Sequence, residues 1–475
     1  MAAFDTFIGL EVHIHLLTKT KVFCDCAFEY GAPPNTHVCP VCLGYPGVLP
    51  TVNREALKFS YMVGEALHCT PSEKTFFERK NYFYPDMSKN YQITQFQEPV
   101  GLGGYFEFKT QGKTKKIRIH DIHLEEDAGK MIHDGNRSLV DYNRAGTSLL
   151  EIVTEPDLSS GEEAEDFLQA FRQMVQYMGV CDGNMEEGSL RCDANISINK
   201  KGKGLGTKVE IKNMNSSRNV RIAMRYEQRR QARAKKTGTK IVQETRLWDA
   251  ENKKTQKMRT KEAAHDYRYF PEPDIPPFIP DEQFKEAVRA AMVELPAVRK
   301  ERMKGEYGLQ NDMVDFLTAE KSRADFYEKV IASGADKETS AKWMKGEFTK
   351  LLSREGLDIS TTNMTPQRFS DLMKLLGDGT IHANIAKQIL EIILEEDKDP
   401  SVIISERELM RPAADASGLE NLIKEIIALE PAAIADIKEG NQKAIGFLMG
   451  KVMKETKGSF DPATVRAKLL ELLGI

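Results

Sequence analysis

A segment with five prolines in twelve residues, YFPEPDIPPFIP at 269–280, separates two parts of this chain that differ in pattern. Proline fixes a backbone dihedral and lacks an amide hydrogen, so the segment cannot form a regular helix or a central strand. Before it, apolar and polar residues alternate in stretches such as TFIGLEVHIHL, which predicts strands with interspersed helices. After it, proline is sparse and helix-forming residues dominate, which predicts a helical bundle.

The length of 475 residues is too great for one ordinary domain and suggests roughly three. The pattern changes at Leu295, and a second break follows at Met410-Arg411-Pro412-Ala413. We therefore predict domains at 1–294, 295–409 and 410–475, the last being a compact set of four short helices.

The composition is typical of a folded protein in a reducing compartment. Hydrophobic residues make up 41% and charged residues 29%, which excludes a disordered chain. No run of about 18 apolar residues occurs, so no membrane span is expected. The first residues read as a strand and lack the basic leader of a signal peptide. Seven cysteines, an odd number, argue against a secreted disulfide framework, and we expect a cytoplasmic protein.

The net charge of −4 hides a basic segment at 200–240, which holds fourteen Lys and Arg against two acids. A local excess of this size suits phosphate binding. A solvated helix face explains it equally well, and charge alone does not decide between the two.

Four cysteines, Cys24, Cys26, Cys39 and Cys42, form two close pairs joined by a loop. Four thiolates suit tetrahedral zinc and leave no open coordination position, so this site at 24–42 would be structural. The alternative is four free thiols in a reduced loop, and the pair spacing favours zinc.

Acidic residues lie on several of the expected strands, together with one histidine. Such side chains converging on one sheet would form a site for Mg²⁺, completed by water and substrate phosphates. Nearby cations would hold phosphate oxygens. Taken singly, each acid is more often a solvated surface group. The candidate acids and histidine are Glu11, His13, Glu125, Glu126, Glu151, Asp193 and Glu210, and the candidate cations are Lys80, Lys130 and Arg191.

The sequence does not match the familiar motifs for nucleotide binding or for a catalytic nucleophile. The stretch GNMEEGS at 183–189 has P-loop glycine spacing but no lysine, and GKGLG at 202–206 does not open an apolar helix. No Gly-x-Ser-x-Gly or amidase signature appears either. Any nucleotide site is therefore neither a P-loop nor a Rossmann site, and no nucleophile is evident on this chain.

Several long motifs, in order along essentially the whole chain, resemble the B subunit of the tRNA-dependent amidotransferases. They are IGLEVHIHLLTKTKVFC, PNTHVCPVCLGYPGVLP, FERKNYFYPDMSKNYQITQ, HLEEDAGK, DYNRAGTSLLEIVTEPD, MEEGSLRCDANIS, DYRYFPEPDIPP and KAIGFLMGKVMKETKG. The archaeal-type relative carries a large inserted domain, for which this chain has no room. The bacterial or organellar type is therefore indicated.

The resemblance implies an α+β fold, in which an antiparallel-sheet cradle domain precedes a helical domain and a small helical tail domain. It implies that this subunit uses ATP and Mg²⁺ to activate the side-chain carboxylate of misacylated Glu-tRNA(Gln), Asp-tRNA(Asn) or both. Ammonia would come from glutamine at a separate amidase, the A subunit, and the small C subunit would brace the heterotrimer. A ligase with its nucleophile on another chain accounts for the missing nucleophile.

The resemblance also implies residue roles. His13, Glu126 and Glu151 would bind the catalytic Mg²⁺. Glu11, Glu125, Asp193 and Glu210 would line the same pocket around a second ion, and Lys80 would lie on the ammonia route. The cysteines match only part of the family, which supports a structural role for zinc.

Two alternatives remain at this point. A non-catalytic tRNA-binding scaffold subunit would use the basic segment and the tail but not the acids. A zinc-dependent hydrolase is disfavoured by the complete set of thiolates. In the tail, a set of lysines predicts a phosphate-holding clamp on the tRNA body, and the alternative is a solvated helix face. The lysines are Lys443, Lys451, Lys454 and Lys457, and the apolar residues Ile445, Phe447, Leu448, Val452 and Met453 would form a core.

Overall fold

The computed structural model describes residues 4–260, 264–409, 416–438, 442–455, 460 and 462–474. The chain divides into two compact units, Met1–Ala297 and Val298–Ile475. The first unit is built on sheets and the second on helices, so the expected α+β class is confirmed. No helix in these described ranges is long and apolar enough to cross a membrane.

The strands of the first unit run from the first described residue to the proline-rich segment. They are β1 (Phe4–His15), β2 (Thr70–Pro71), β3 (Glu78–Asn81), β4 (Tyr91–Thr94), β5 (Gly101–Leu102), β6 (Tyr105–Thr110), β7 (Lys113–Glu126), β8 (Lys130–Asp134), β9 (Arg137–Asp141), β10 (Ser148–Thr154), β11 (Leu190–Lys200), β12 (Val209–Lys212), β13 (Glu244–Asp249), β14 (Lys254–Thr260) and β15 (Phe270–Pro271). The proline-rich segment contributes the two residues of β15, at the edge of a small sheet, and an isolated bridge between Phe278 and Thr75.

Four helices pack with these strands: α1 (Arg54–Ala66), α2 (Gly161–Met178), α3 (Ser217–Thr237) and α4 (Glu282–Ala291). Side-chain oxygens of Ser160 and Ser216 cap the first turns of α2 and α3. Gly179 and Gly238 end the same two helices in the left-handed conformation that glycine adopts without a Cβ clash.

The large sheet has ten strands in the described part of the chain, in the order β14-β13-β12-β11-β1-β10-β7-β5-β2, with β6 also paired to β7. β11 and β12 form an antiparallel hairpin. The sheet is mixed, because β12 and β13 are parallel. The reason is α3, which crosses over between them; parallel neighbours need such a connection. A three-stranded sheet, β15-β3-β4, and a two-stranded ribbon, β8-β9, complete the unit.

One hydrophobic core joins the large sheet to its helices. Apolar residues of β1, β7, β10 and β11 alternate into this core and pack against α1 to α3. The opposite face of the same strands carries polar side chains, and this division of faces positions the candidate site.

The second unit is helical and has two hydrophobic clusters, one over residues 303–404 and one over residues 419–469. Its helices, with a π-helical turn at Met344–Phe348, are α5 (Pro296–Tyr307), α6 (Asn311–Thr318), α7 (Lys321–Ala332), α8 (Lys337–Trp343), α9 (Thr349–Glu355), α10 (Pro366–Gly377), α11 (Ala383–Glu395), α12 (Pro400–Glu406), α13 (Ala416–Leu429), α14 (Pro431–Lys438), α15 (Gln442–Glu455) and α16 (Pro462–Leu473).

The tail helix α15 differs in two ways from the sequence expectation. Leu448 and Val452 are buried, but Phe447 is half exposed and does not join the core. Lys451 contacts Glu430 and lies 5.1 Å above the Phe447 ring, so part of its charge is already compensated. Lys454 is exposed. The side chain of Lys443, residue Lys457 and the predicted break at 410–413 lie outside the described residues.

Candidate metal and phosphate-binding site

The polar face of the large sheet collects acids from neighbouring strands. Glu11 of β1 lies opposite Asp193 of β11, and His13 of β1 lies opposite Glu151 of β10. Side chains directly opposite each other in paired strands share a face and approach closely. The alternation that buries the apolar residues of β1 therefore turns its Glu and His toward acids on both sides.

His13, Glu125 and Glu151 form a first group, which we call the histidine–carboxylate group. Their potential ligand atoms all lie within 4.8 Å of one another. His13 Nε2 is 3.4 Å from Glu151 Oε2, and His123 Nε2 lies 3.0 Å from the same oxygen. Thr94 Oγ1 donates to Glu125 Oε2 at 3.0 Å. One imidazole and two carboxylates thus converge from three strands.

The two carboxyls of this group have opposite electrostatic environments. Burial raises the pKa of Glu125, and the nearby Glu151 raises it further. Burial acts in the same direction on Glu151, but His13 and His123 outweigh it and hold that pKa well below its usual range. Burial acts to lower the pKa of His13, but Glu151 and Glu125 leave it raised. The group therefore pairs a carboxyl whose charged form is disfavoured by burial with one that is held ionised.

Glu11, Asp193 and Glu210 form a second group, which we call the carboxylate triad. Their oxygens also lie within 4.8 Å of one another. Lys212 contacts Asp193 and lies 3.6 Å from Glu210 Oε1, and these acids raise its pKa although burial acts to lower it. Asn195 Nδ2 donates to Glu11 Oε1 at 2.7 Å. The triad is thus a second oxygen-rich site whose charge one lysine partly balances.

The structure does not bring Glu126 to the histidine–carboxylate group, with which it was expected to lie. It is adjacent to Glu125 at the end of β7, so it points to the opposite face. Lys89 contacts its carboxylate, and the backbone N–H of Ile93 donates to Oε1 at 2.8 Å. Glu126 also lines a small cavity with Cys42. Glu125 takes the position beside His13.

Arg191 lies beside His13 and belongs to a buried ionic cluster. Its Nη2 donates to Asp127 Oδ2 at 2.8 Å, and His15 Nε2 lies 2.6 Å from the same oxygen. Arg144 Nε is 3.5 Å away from it. These cations hold the pKa of Asp127 well below its usual range although burial acts to raise it. Two guanidinium groups therefore meet at one buried carboxylate, next to the acids of the polar face.

The two candidate lysines have different positions. Lys80 is partly exposed, and its pKa is raised because Glu125 and Glu151 outweigh the effect of desolvation. Its Nζ lies 5.0 Å from the ring centroid of Tyr267. Lys130 is exposed on the β8-β9 ribbon instead. Lys80 therefore faces the acids, whereas the structure gives Lys130 no place in either group.

The four cysteines converge as their spacing predicted. The sulfur atoms of Cys24, Cys26, Cys39 and Cys42 lie within 4.8 Å of one another. The backbone N–H of Cys39 donates to Cys42 Sγ at 3.2 Å, and the buried Lys21 Nζ lies 3.6 Å from the same sulfur. Hydrogen bonding from Cys24, the Cys39 backbone and the charge of Lys21 lower the pKa of Cys42. This cluster could bind a metal such as zinc.

The basic segment is partly neutralised within the first unit. On α3, Arg221 lies 2.7 Å from Glu165, Arg225 contacts Glu162, and Arg230 pairs with Glu227. Other basic side chains of this helix, namely Arg229, Arg233 and Lys236, are exposed. The net charge counted from the sequence therefore overstates what remains for a phosphate partner.

Sequence reasoning missed several side chains of the site. His123 and Lys212 had a usable signal, since each lies two residues from a candidate acid on the same strand and so shares its face. Asp127, Arg144, Lys89 and Lys21 had none, because they reach their partners only through the fold of loops and strand ends.

Comparison with known proteins identifies the family. Residues 6–286 match the family described as the GatB/GatE catalytic domain, and residues 325–473 match the GatB domain. The chain is 46% identical over 476 residues to the B subunit of the aspartyl/glutamyl-tRNA(Asn/Gln) amidotransferase from Brevibacillus brevis, covering 100% of this chain and 99% of that protein. The proteins of the same name from Carboxydothermus hydrogenoformans (100% and 99% covered) and Geobacillus kaustophilus (99% and 99%) are each 45% identical. The resemblance inferred from the motifs is confirmed, and the chain belongs to the B-subunit family of the aspartyl/glutamyl-tRNA(Asn/Gln) amidotransferases.

Proposed function

We propose that this chain activates the side-chain carboxylate of misacylated Glu-tRNA(Gln), Asp-tRNA(Asn) or both with ATP, and presents the activated carbonyl to ammonia. The observation that carries the proposal is the convergence of the histidine–carboxylate group and the carboxylate triad on one face of one sheet. A tRNA-binding scaffold would have no use for two such groups at hydrogen-bonded neighbouring strands.

The donor set of the histidine–carboxylate group fits Mg²⁺. Mg²⁺ accepts a small number of protein ligands and completes its shell with water and phosphate oxygens. His13, Glu125 and Glu151 would hold it, in place of the set with Glu126 that motif matching implied. When bound, Mg²⁺ neutralises the charge that develops on the transferred phosphoryl group. The carboxylate triad would hold a second cation, with Lys212 lowering its affinity.

The remaining side chains divide the chemical work. Arg191, held by Asp127 beside His13, would bind phosphate oxygens. Lys80, facing Glu125, would line the path by which ammonia arrives. Lys130, exposed on the ribbon, is withdrawn from this set.

The partners follow from the missing nucleophile. We propose that an amidase, the A subunit, supplies ammonia from glutamine, that the small C subunit completes a cytoplasmic heterotrimer, and that the tail at 410–475 holds the tRNA body. The four-cysteine cluster would bind zinc with all positions filled, and would therefore stabilise the 24–42 loop without taking part in chemistry.

The test is an amidation assay on the assembled complex with both misacylated tRNAs, glutamine, ATP and Mg²⁺. The wild-type complex should amidate at least one of the two misacylated tRNAs, and it should do so only when ATP is present. Glu151→Gln should abolish this activity and leave glutamine hydrolysis by the partner in part intact, with Glu186→Gln, an exposed acid outside both groups, as the matched control. Amidation by Glu151→Gln at the wild-type rate would support the scaffold alternative.

A further inference from the structure

A connected set of aromatic rings lies on the three-stranded sheet and the segment that leads into it. Phe96 stacks on Tyr269 with ring centroids 4.4 Å apart and an interplanar angle of 10°. Tyr269 contacts Tyr267 edge-on, and Tyr267 contacts Tyr82 in the same way. We call these four rings the aromatic ledge. Phe96 is 54% exposed and the three tyrosines are partly exposed, so the ledge is accessible to a ligand.

The ledge is held rigidly by polar contacts beneath it. The buried carboxylate of Glu78 accepts hydrogen bonds from the backbone N–H groups of Phe96 and Gln97, at 2.9 and 2.8 Å. Asn81 Nδ2 donates to the carbonyl oxygen of Arg268 at 2.9 Å, which fixes the chain between the two tyrosines. Rings fixed in advance lose little entropy when a flat ligand binds.

The ledge borders the histidine–carboxylate group. Lys80 Nζ lies 5.0 Å from the ring centroid of Tyr267. Burial raises the pKa of Tyr269 to about 12; Lys80 opposes this shift, and Glu125 and Glu151 add to it. Glu125 and Glu151 of the histidine–carboxylate group thus also act electrostatically on the ledge. The rings of the ledge, the Lys80 ammonium group and these carboxylates therefore lie close together.

We propose that the aromatic ledge stacks an adenine base whose phosphates lie toward Lys80 and the histidine–carboxylate group. The inference rests on the proposed function, which supplies two adenine bases to this site: that of ATP and that of the terminal adenosine of the charged tRNA. Both adenine bases present a flat π face and are joined to phosphate. This chemistry is complementary to the rings of the ledge and to the ammonium group of Lys80 beside them. One base–aromatic stack contributes about 1–3 kcal/mol, enough to affect either substrate measurably.

The test compares Phe96→Leu, which keeps an apolar side chain but removes the ring, with Phe96→Trp, which keeps a ring. Leu205→Ala, an exposed apolar residue of the β11–β12 hairpin, is the matched control. If the base is that of ATP, Phe96→Leu in the assembled complex should raise the KM for ATP about five- to 150-fold, the equivalent of one stack. Phe96→Trp and the control should stay near wild type, and ATP should quench the added tryptophan fluorescence of Phe96→Trp.

If the base is that of the tRNA, the KM for charged tRNA rises instead. In that case, tRNA lacking its terminal adenosine should bind wild type and Phe96→Leu equally. The proposal is overturned if neither constant changes, or if Phe96→Leu releases the amidase partner on size-exclusion chromatography, since the ledge would then be a protein interface. A wild-type complex without ATP-dependent amidation would instead refute the proposed function itself.

Discussion

Glu125 and Glu126 provide the sharpest prediction, because they are neighbours in sequence and lie on opposite faces of β7. The side chains of Glu126 and Lys89 are only 3% and 8% exposed, so Glu126→Gln leaves a buried ammonium beside a neutral amide. Removing one partner of a buried pair costs about 3–5 kcal/mol. The glutamine carbonyl can still accept the N–H of Ile93, so we expect a loss near the lower value, about 3 kcal/mol.

Glu125→Gln should have the opposite profile. Burial already disfavours the charged form of Glu125, so the neutral amide should leave stability near wild type. It should reduce ATP-dependent amidation by at least about 100-fold, since even residues that only support a metal ligand cost about 10–100-fold when replaced. Glu126→Gln should keep most of the activity at temperatures where it is folded.

Urea unfolding of the full chain measures the stability arm. Trp343→Phe leaves Trp248, buried in the first unit, as the single tryptophan reporter. At an m-value of about 3 kcal/mol per molar, Glu126→Gln should lower the urea concentration at the unfolding midpoint by about 1 M. The double variant Glu126→Gln/Lys89→Met, which also removes the unpaired ammonium group, should recover part of the lost stability. If Glu126→Gln unfolds at the wild-type midpoint but loses amidation, Glu126 acts in the pocket and the assignment by strand face is wrong.

Three further predictions address the other sites. The purified chain should contain about one zinc, measured by mass spectrometry of metals. The double variant Cys39→Ser/Cys42→Ser should lose this zinc and keep residual activity. A metal-free wild type under reducing conditions would indicate four free thiols. Lys212→Met removes the ammonium group that contacts the carboxylate triad. It should tighten Mn²⁺ binding at the triad by at least about tenfold in a calorimetric titration, with Lys200→Met as the control. An unchanged affinity would contradict a cation site at the triad. Deleting the residues after Pro412 should raise the KM for charged tRNA and flatten the salt dependence of its binding, leaving basal glutamine hydrolysis unchanged; equal binding across a salt series would make the tail a packing element.

The sequence predicted the features that depend on neighbouring residues. The proline-rich segment separated strands from helices, because proline acts on its own backbone position. The cysteines converged because short loops hold both pairs. The parallel pair β12–β13 was not predicted, since nothing in either strand shows that α3 returns the chain in the same direction. The exposed Phe447 was assigned to a core from composition, which does not specify the side of α15 on which a ring lies.

The position of Glu126 shows where motif matching and strand geometry diverge. The motif HLEED contains two adjacent glutamates, and matching alone does not decide which of them takes a given position. The alternation of side chains along β7 does decide it. The apolar face of this strand holds Ile122, Leu124 and Glu126, and the polar face holds His123 and Glu125. Because His123 lies opposite Glu151, the face with Glu125 is the one with the acids. The alternation of apolar residues along one strand therefore identified the glutamate beside His13 and Glu151, which the motif alone did not.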